Sequence, residues 1–195
     1  MVLNLMVIVA GYLLGSIPSA YIVTKLSKDI DIREVGTGNM GAANIFREIG
    51  VWQGIVVCLI DMTKGAVTIL IAWALGVSQP WLLGAGFAAL LGHNFPVYLG
   101  FRGGIGSATA MGIFLVLAPI EMCIALGIMA IPLLIMRNAH KVAIVIGIGI
   151  VFVPLLIWLF QTSVILTCYS SAIIAFIGLR SLPAPHELLG RIKKR

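Results

Sequence analysis

The sequence predicts an all-α, polytopic membrane protein of seven transmembrane helices. Three observations carry that prediction. Of the 195 residues, 61% are hydrophobic before glycine is counted and only 10% are charged, whereas a soluble domain has about 45–50% apolar residues with glycine included and about 25% charged. The apolar residues form long runs separated by short polar breaks, and the basic residues fall on alternate breaks. Such a chain could not clothe a soluble core with polar surface, so a soluble globular domain, a disordered chain and a disulfide scaffold are excluded. The net charge of +6 reflects the lysine and arginine bias of cytoplasmic loops rather than a nucleic-acid partner.

The spans are placed near 3–25, 52–75, 80–98, 105–118, 121–136, 142–159 and 163–179. The first is too long for the apolar region of a signal peptide and lacks a basic start. Several later runs are shorter than the ~20 residues a straight helix needs to cross the hydrocarbon, as expected of broken helices or of backbone lining a polar cavity. Lys25, Lys28, Arg33, Arg47, Arg102, Arg137, Lys141, Arg180, Arg191, Lys193, Lys194 and Arg195 lie at the first, third and fifth loops or in the tail, and the intervening loops carry no Lys or Arg. That asymmetry places the N-terminus outside and the C-terminus in the cytoplasm. No linker divides the chain, which reads as a single domain over 1–195. Cys58, Cys123 and Cys168 lie in apolar runs without metal-ligand spacing and read as packing residues.

Function is expected where polar residues and glycines interrupt this pattern. The first cytoplasmic loop contains Gly36-Thr37-Gly38-Asn39-Met40-Gly41, then Asn44 and Arg47. The glycines match G-x-G-x-x-G literally, but a dinucleotide fingerprint needs a preceding strand in a βαβ unit, and a membrane span precedes this one. The backbone could still present successive N–H groups to an anion ahead of a helix start. Thr37, Asn39 and Asn44 add polar side chains, and Arg47 a planar cation suited to phosphate. The alternative is a turn joining two helices. The second glycine-rich loop places Gly103, Gly104 and Gly106 beside Arg102, with Ser107 and Thr109 following. It reads either as a second anion nest or as close helix packing.

Within the second span, Asp61 and Lys64 share a helix face, as a functional pair or as a structural one locking the span to its neighbours. His93 and Asn94 end the third span beside the second glycine loop. Arg137, His140 and Lys141 read as an ordinary basic loop, Glu121 as a solvated residue at the outer face, and the tail Arg191-Ile192-Lys193-Lys194-Arg195 as a lipid-headgroup contact. Gly11, Gly15 and Ser16 read as a close-packing face.

Together these segments resemble the bacterial acyl-phosphate-dependent glycerol-3-phosphate acyltransferases, the PlsY family. Gly36 to Arg47 is similar to the family's G-S-G-N-x-G-A-x-N-x-x-R motif. Asp61-Met62-Thr63-Lys64-Gly65 is similar to D-x-x-K-G, Gly92 to Thr109 to G-H-x-F-P-V-F-x-G-F-K-G-G-K-G-x-A-T, and Gly15 to Tyr21 to G-S-x-P-x-A-Y. The resemblance implies transfer of an acyl chain from acyl phosphate to the 1-hydroxyl of glycerol 3-phosphate, giving lysophosphatidic acid and phosphate. It implies no cofactor and no metal. The implied partners are glycerol 3-phosphate, acyl phosphate and membrane lipids, at the cytoplasmic face of the cell membrane. It implies that His93, Asn44 and Arg47 are catalytic, His93 and Asn44 orienting the hydroxyl. Thr37, Gly38, Asn39, Gly41, Arg102, Gly103, Gly104, Gly106, Ser107 and Thr109 would bind phosphate or the developing oxyanion, with Asp61 and Lys64 as a structural or site-supporting ion pair. Three departures stand out. Thr37 replaces a serine, Arg102 and Ile105 replace two lysines, and of the R-H-R-x-N stretch after the last span only Arg180 is shared. A diverged paralogue with an altered phosphorylated substrate or lost activity is one alternative. A non-enzymatic lipid-binding or transport protein is another, although a transporter's inverted repeat would put the two glycine loops on opposite faces.

Overall fold

The structure, a computed structural model, describes residues 1–136, 149, 151–160 and 163–182. Among these it is all helix with connecting turns. The helices are α1 (Val2–Gly15), α2 (Ser19–Lys28), α3 (Ala42–Glu48), α4 (Val51–Ala74), α5 (Gln79–Asn94), α6 (Ser107–Leu117), α7 (Pro119–Met136), α8 (residues 151–159) and α9 (Val164–Ser181). Four stretches of the described residues are long and apolar enough to cross a membrane: Val2–Lys28, Val51–Ala74, Gln79–Leu99 and Val164–Ser181. The chain is therefore an all-α membrane protein. The sixth expected span lies partly outside the described residues. So do Arg137, His140, Lys141 and the basic tail.

The first expected span is in fact two helices, α1 and α2, broken at Ser16–Pro18. Pro18 has no N–H to donate to the Leu14 carbonyl, and its ring crowds that carbonyl. The break is stitched locally: Ser16 Oγ donates to the Tyr12 carbonyl at 2.8 Å and the Ile17 N–H to Leu14 at 3.2 Å. The fourth span shortens to the 11 residues of α6, about 16 Å of helix against the ~30 Å of a hydrocarbon core. Its N-terminus, at Gly106 and Ser107, faces a cavity. The long first loop is not featureless, since it holds a 3-10 turn at Ile32–Glu34 and α3. Ile32, Met40, Ile45 and Val57 bury together and seat that loop on α4.

Glycines set the helix spacing. A side chain at Gly11 or Gly15 would strike the backbone of α5 at Ala85 or Ala89, and one at Gly92 would strike α1 at Tyr12 and Gly15. The expected close-packing face in α1 is therefore real, and α5 answers it. Gly65 and Gly112 do the same between α4 and α6. In lipid, where burying apolar surface gains little, such close backbone approach is what holds helices together. A cluster including Leu90, Phe114, Met122, Ile157 and Ile173 joins α5 to α6, α7, α8 and α9, while Leu13, Leu59, Leu70 and Trp158 face outward. Two minor expectations are corrected. Glu121 is only 5% exposed and so is not solvated; it lies in the first turn of α7, where a helix dipole favours a negative charge. Cys123 and Cys168 are exposed on the apolar exterior, while Cys58 is half-buried.

Candidate active site

The first loop is organised by Asn44. Its Oδ1 accepts from the Thr37 amide at 3.2 Å, from Thr37 Oγ1 at 3.1 Å and from Arg47 Nη2 at 3.3 Å, while its Nδ2 donates to the Val35 carbonyl at 3.0 Å. Gly36 and Gly38 turn the chain through left-handed conformations, φ +62° and +68°, which cost a residue with a Cβ more than they cost glycine. A side chain at Gly36 would also strike Asn44 and Glu48. The expected cradle of successive backbone amides is not what this loop presents. The Gly38 N–H donates to Val35, that of Asn39 to Thr37 Oγ1, and that of Gly41 to Asn39 Oδ1. With those amides spent inside the loop, the cation offered outward is Arg47, with Thr37 and Asn39 beside it.

These residues line a cavity of ≈ 590 Å³. Thr37, Asn39, Gly41, Asn44 and Arg47 form one wall; Asp61 and His93 belong to the membrane helices; Ile105, Gly106 and Ser107 come from the second glycine loop. Gly106 takes φ +95° as the N-cap of α6, so this helix start opens on the cavity. Gly38, by contrast, shapes the turn without lining the cavity. Nor do four of the expected phosphate ligands of the second loop. Arg102 is exposed to one side. Gly103 is pressed against Pro96 and the His93 carbonyl, and Gly104 against the His93 ring. The Gly104 N–H donates to the His93 carbonyl at 3.1 Å, which removes it from any anion nest. Thr109 is fully buried where α6 crosses Gly65. The two readings of this loop therefore divide along it: Gly103 and Gly104 are packing glycines, Gly106 and Ser107 are cavity groups.

Beneath the cavity lies a cluster of buried charge. Asp61 Oδ1 is 2.9 Å from Lys64 Nζ and 3.5 Å from His93 Nδ1, and it accepts from Ser19 Oγ. Lys64 Nζ also donates to the Ile17 carbonyl at 3.1 Å. Ile17 sits in the break between α1 and α2, so one ion pair on α4 ties that break to His93 on α5. Of the pair, Asp61 is in the cavity lining. Ser19 was not singled out from the sequence, although a serine beside a proline within an apolar run was the available signal. Arg180 and Ser181 line the cavity from the end of α9, and Cys58, Met111 and Ile177 give it an apolar flank. The guanidinium of Arg180 lies 4.7 Å from the centre of the Phe95 ring.

An apolar helical bundle holding a cavity with two guanidinium groups and an apolar flank defines a class: integral membrane proteins with a cationic, amphiphilic cavity. Within that class, the chain belongs to the glycerol-3-phosphate acyltransferase family, whose model matches residues 5–184. Glycerol-3-phosphate acyltransferase 1 of Dehalococcoides mccartyi is 40% identical over 90% of this chain and 86% of its own. An acyltransferase of Anaeromyxobacter sp. is 46% identical over 60% of each chain. Among solved structures, the glycerol 3-phosphate form of PlsY, an integral membrane glycerol 3-phosphate acyltransferase, superposes with a TM-score of 0.81 at 30% identity, over 98% of this chain and 92% of that one. Its lysophosphatidic acid form gives 0.78 at 28% identity with the same coverage. The resemblance read from the motifs is borne out, and the chain is an acyltransferase of that family.

Proposed function

We propose that this protein transfers an acyl chain from acyl phosphate to the 1-hydroxyl of glycerol 3-phosphate at the cytoplasmic face of the cell membrane, in a bundle of seven spans with the N-terminus outside. The carrying observation is the single cavity that joins Arg47 and its loop, the N-terminus of α6, and an apolar flank. Glycerol 3-phosphate rests its phosphate on Arg47, with Asn39 as a further donor and Thr37, whose amide and hydroxyl donate to Asn44, shaping the wall beside it. Arg47 is held by Asn44, whose amide is already committed within the loop. Asn44 therefore acts through Arg47 and Thr37 rather than on the substrate hydroxyl. His93, braced by Asp61, orients that hydroxyl. The hydroxyl oxygen forms a bond to the acyl carbon and the bond from that carbon to the phosphate oxygen breaks. The hydroxyl proton leaves with the released phosphate. Negative charge on the acyl oxygen during attack is stabilised by the start of α6 at Gly106–Ser107, where free amides and the helix dipole point one way.

The test is acyl transfer by detergent-purified protein with labelled glycerol 3-phosphate, supplied with palmitoyl phosphate in one reaction and palmitoyl-CoA in another. Lysophosphatidic acid from palmitoyl phosphate alone is the expected result. Product from palmitoyl-CoA alone would overturn the donor, and no product from folded protein would mean a paralogue with another substrate.

A further inference from the structure

Asn94, the last residue of α5, is fully buried, and among the described residues neither its Oδ1 nor its Nδ2 has a hydrogen-bond partner. Arg47, Asp61, His93 and Arg180 also carry one unpaired atom, but each is engaged through another part of its side chain: Arg47 with Asn44, Asp61 with Lys64 and His93, Arg180 with the Phe95 ring. The Thr109 hydroxyl is unpaired too, but it belongs to the crossing of α6 with Gly65. A whole carboxamide left unpaired in the interior is costly and calls for a partner that the fold does not supply. The place of Asn94 says what that partner is. A Cβ at Gly106 would lie 2.7 Å from Asn94 Oδ1 and would strike Leu90, so the glycine is what lets the carboxamide approach the first turn of α6. Ile105, Gly106 and Ser107 line the cavity, and among the described residues no hydrogen bond within the protein takes up their N–H groups. That stretch of wall offers no cation to a developing negative charge, since position 105 is an isoleucine and Arg102 stands outside the lining.

We infer that Asn94 is an oxyanion donor: its Nδ2–H group donates to the acyl oxygen at the start of α6, beside the Gly106 and Ser107 N–H groups. The inference rests on the placing of the acyl oxygen there during attack, as proposed above. With no partner on either atom, the carboxamide can turn either Oδ1 or Nδ2 toward Gly106. A buried amide donor acts strongly on a charge that develops beside it, because water does not screen the interaction. It gains less from the uncharged carbonyl of the bound substrate, so its effect falls on kcat rather than on KM. The family motif is open at this position, reading G-H-x-F-P, and assigns Asn94 no role.

The acyl oxygen is common to every acyl donor, so the assignment is tested with whichever of palmitoyl phosphate and palmitoyl-CoA the wild-type protein uses. Steady-state kcat and both KM values are measured on the detergent-purified full chain, together with the melting temperature of each variant. Asn94→Leu keeps roughly the volume and removes the donor. Its kcat is expected to fall roughly 100- to 1000-fold, the loss typical of one oxyanion donor, with both KM values within about threefold of wild type. Its melting temperature is expected not to fall, because the amide it removes has no partner in the protein. Asn94→Gln keeps a donor on a longer stem and is expected to give a kcat between wild type and the leucine variant. An unchanged kcat in Asn94→Leu, whatever its melting temperature, would overturn the assignment and leave Asn94 a structural amide satisfied by solvent. A loss confined to either KM would overturn it as well. If Asn94→Leu does not fold, Asn94→Ala decides, because a wild-type kcat in that variant also overturns the assignment. Wild-type protein inactive with both donors would instead overturn the acyl-transfer reading on which the assignment rests.

Discussion

Asp61 and Lys64 are each nearly inaccessible, at 0% and 6% exposure, and each depends on the other. Asp61→Ala would strand the Lys64 ammonium in the bundle, and breaking a buried pair in this way costs about 3–5 kcal/mol. Thermal unfolding in detergent should therefore show a large loss for Asp61→Ala and a smaller one for Asp61→Asn combined with Lys64→Met; equal losses would mean the pair carries no mutual stabilisation. Arg47→Ala should abolish acyl transfer while the protein still inserts and folds, and retained activity would remove Arg47 from the site. Ile105→Lys would add a cation to the cavity wall, so the apparent KM for glycerol 3-phosphate should fall. An unchanged value would mean that other cavity groups already satisfy its phosphate. The pairing of Asp61 with Lys64 was legible because i,i+3 spacing is local. The convergence of Ser19 and His93 on the same carboxylate was not, because they come from helices whose contact only the packing defines. That Gly103 and Gly104 of the second glycine loop lie outside the cavity lining was not legible for the same reason. Sequence showed that Gly103 and Gly104 leave room, but what fills the room is the end of α5.

At the scale of elements, the packing glycines make the most direct claims. Gly92 faces the backbone of Tyr12 and Gly15, and Gly112 faces the backbone of Met62. Backbone cannot rotate aside as a side chain can, so Gly92→Ala or Gly112→Ala must separate two helices. Overpacking of this sort destabilises by about 1–3 kcal/mol, to be read as a lowered melting temperature in detergent; an unchanged value for both would show that the bundle has slack at these crossings. The helices were legible as apolar runs. The division of the first run was less so. Pro18 is a breaking signal, yet the residues on both sides are apolar enough to read as one span. The break is sustained by Lys64, on another helix and 47 positions away from the Ile17 carbonyl it caps. The shortness of α6 was legible too, and its consequence is spatial: the helix starts at the cavity, where it brings Gly106 and Ser107.

The whole molecule makes sense as a bundle that carries a polar cavity to a membrane surface. Its proposed orientation rests on twelve basic residues outside the spans, all on one side, and is tested by thiol labelling in a background lacking Cys58, Cys123 and Cys168. Glu34→Cys and Arg102→Cys, both at exposed positions, should label only from the cytoplasm, and Ser78→Cys only from outside; the reverse pattern would invert the protein. Membership of the acyltransferase family was legible in full, because its motifs are contiguous and long. The meeting of the first loop with the end of α9 was not, since more than 130 residues separate Arg47 from Arg180 and no local pattern joins them. The central claim is that this cavity binds glycerol 3-phosphate through the first loop, and a crystal structure of the protein with that substrate tests it most directly. Phosphate density within hydrogen-bond distance of Arg47, at about 3 Å, with the 1-hydroxyl turned toward His93 and Gly106, is the predicted result. Phosphate bound outside the cavity against Arg102, with the Thr37–Arg47 wall unoccupied, would contradict it.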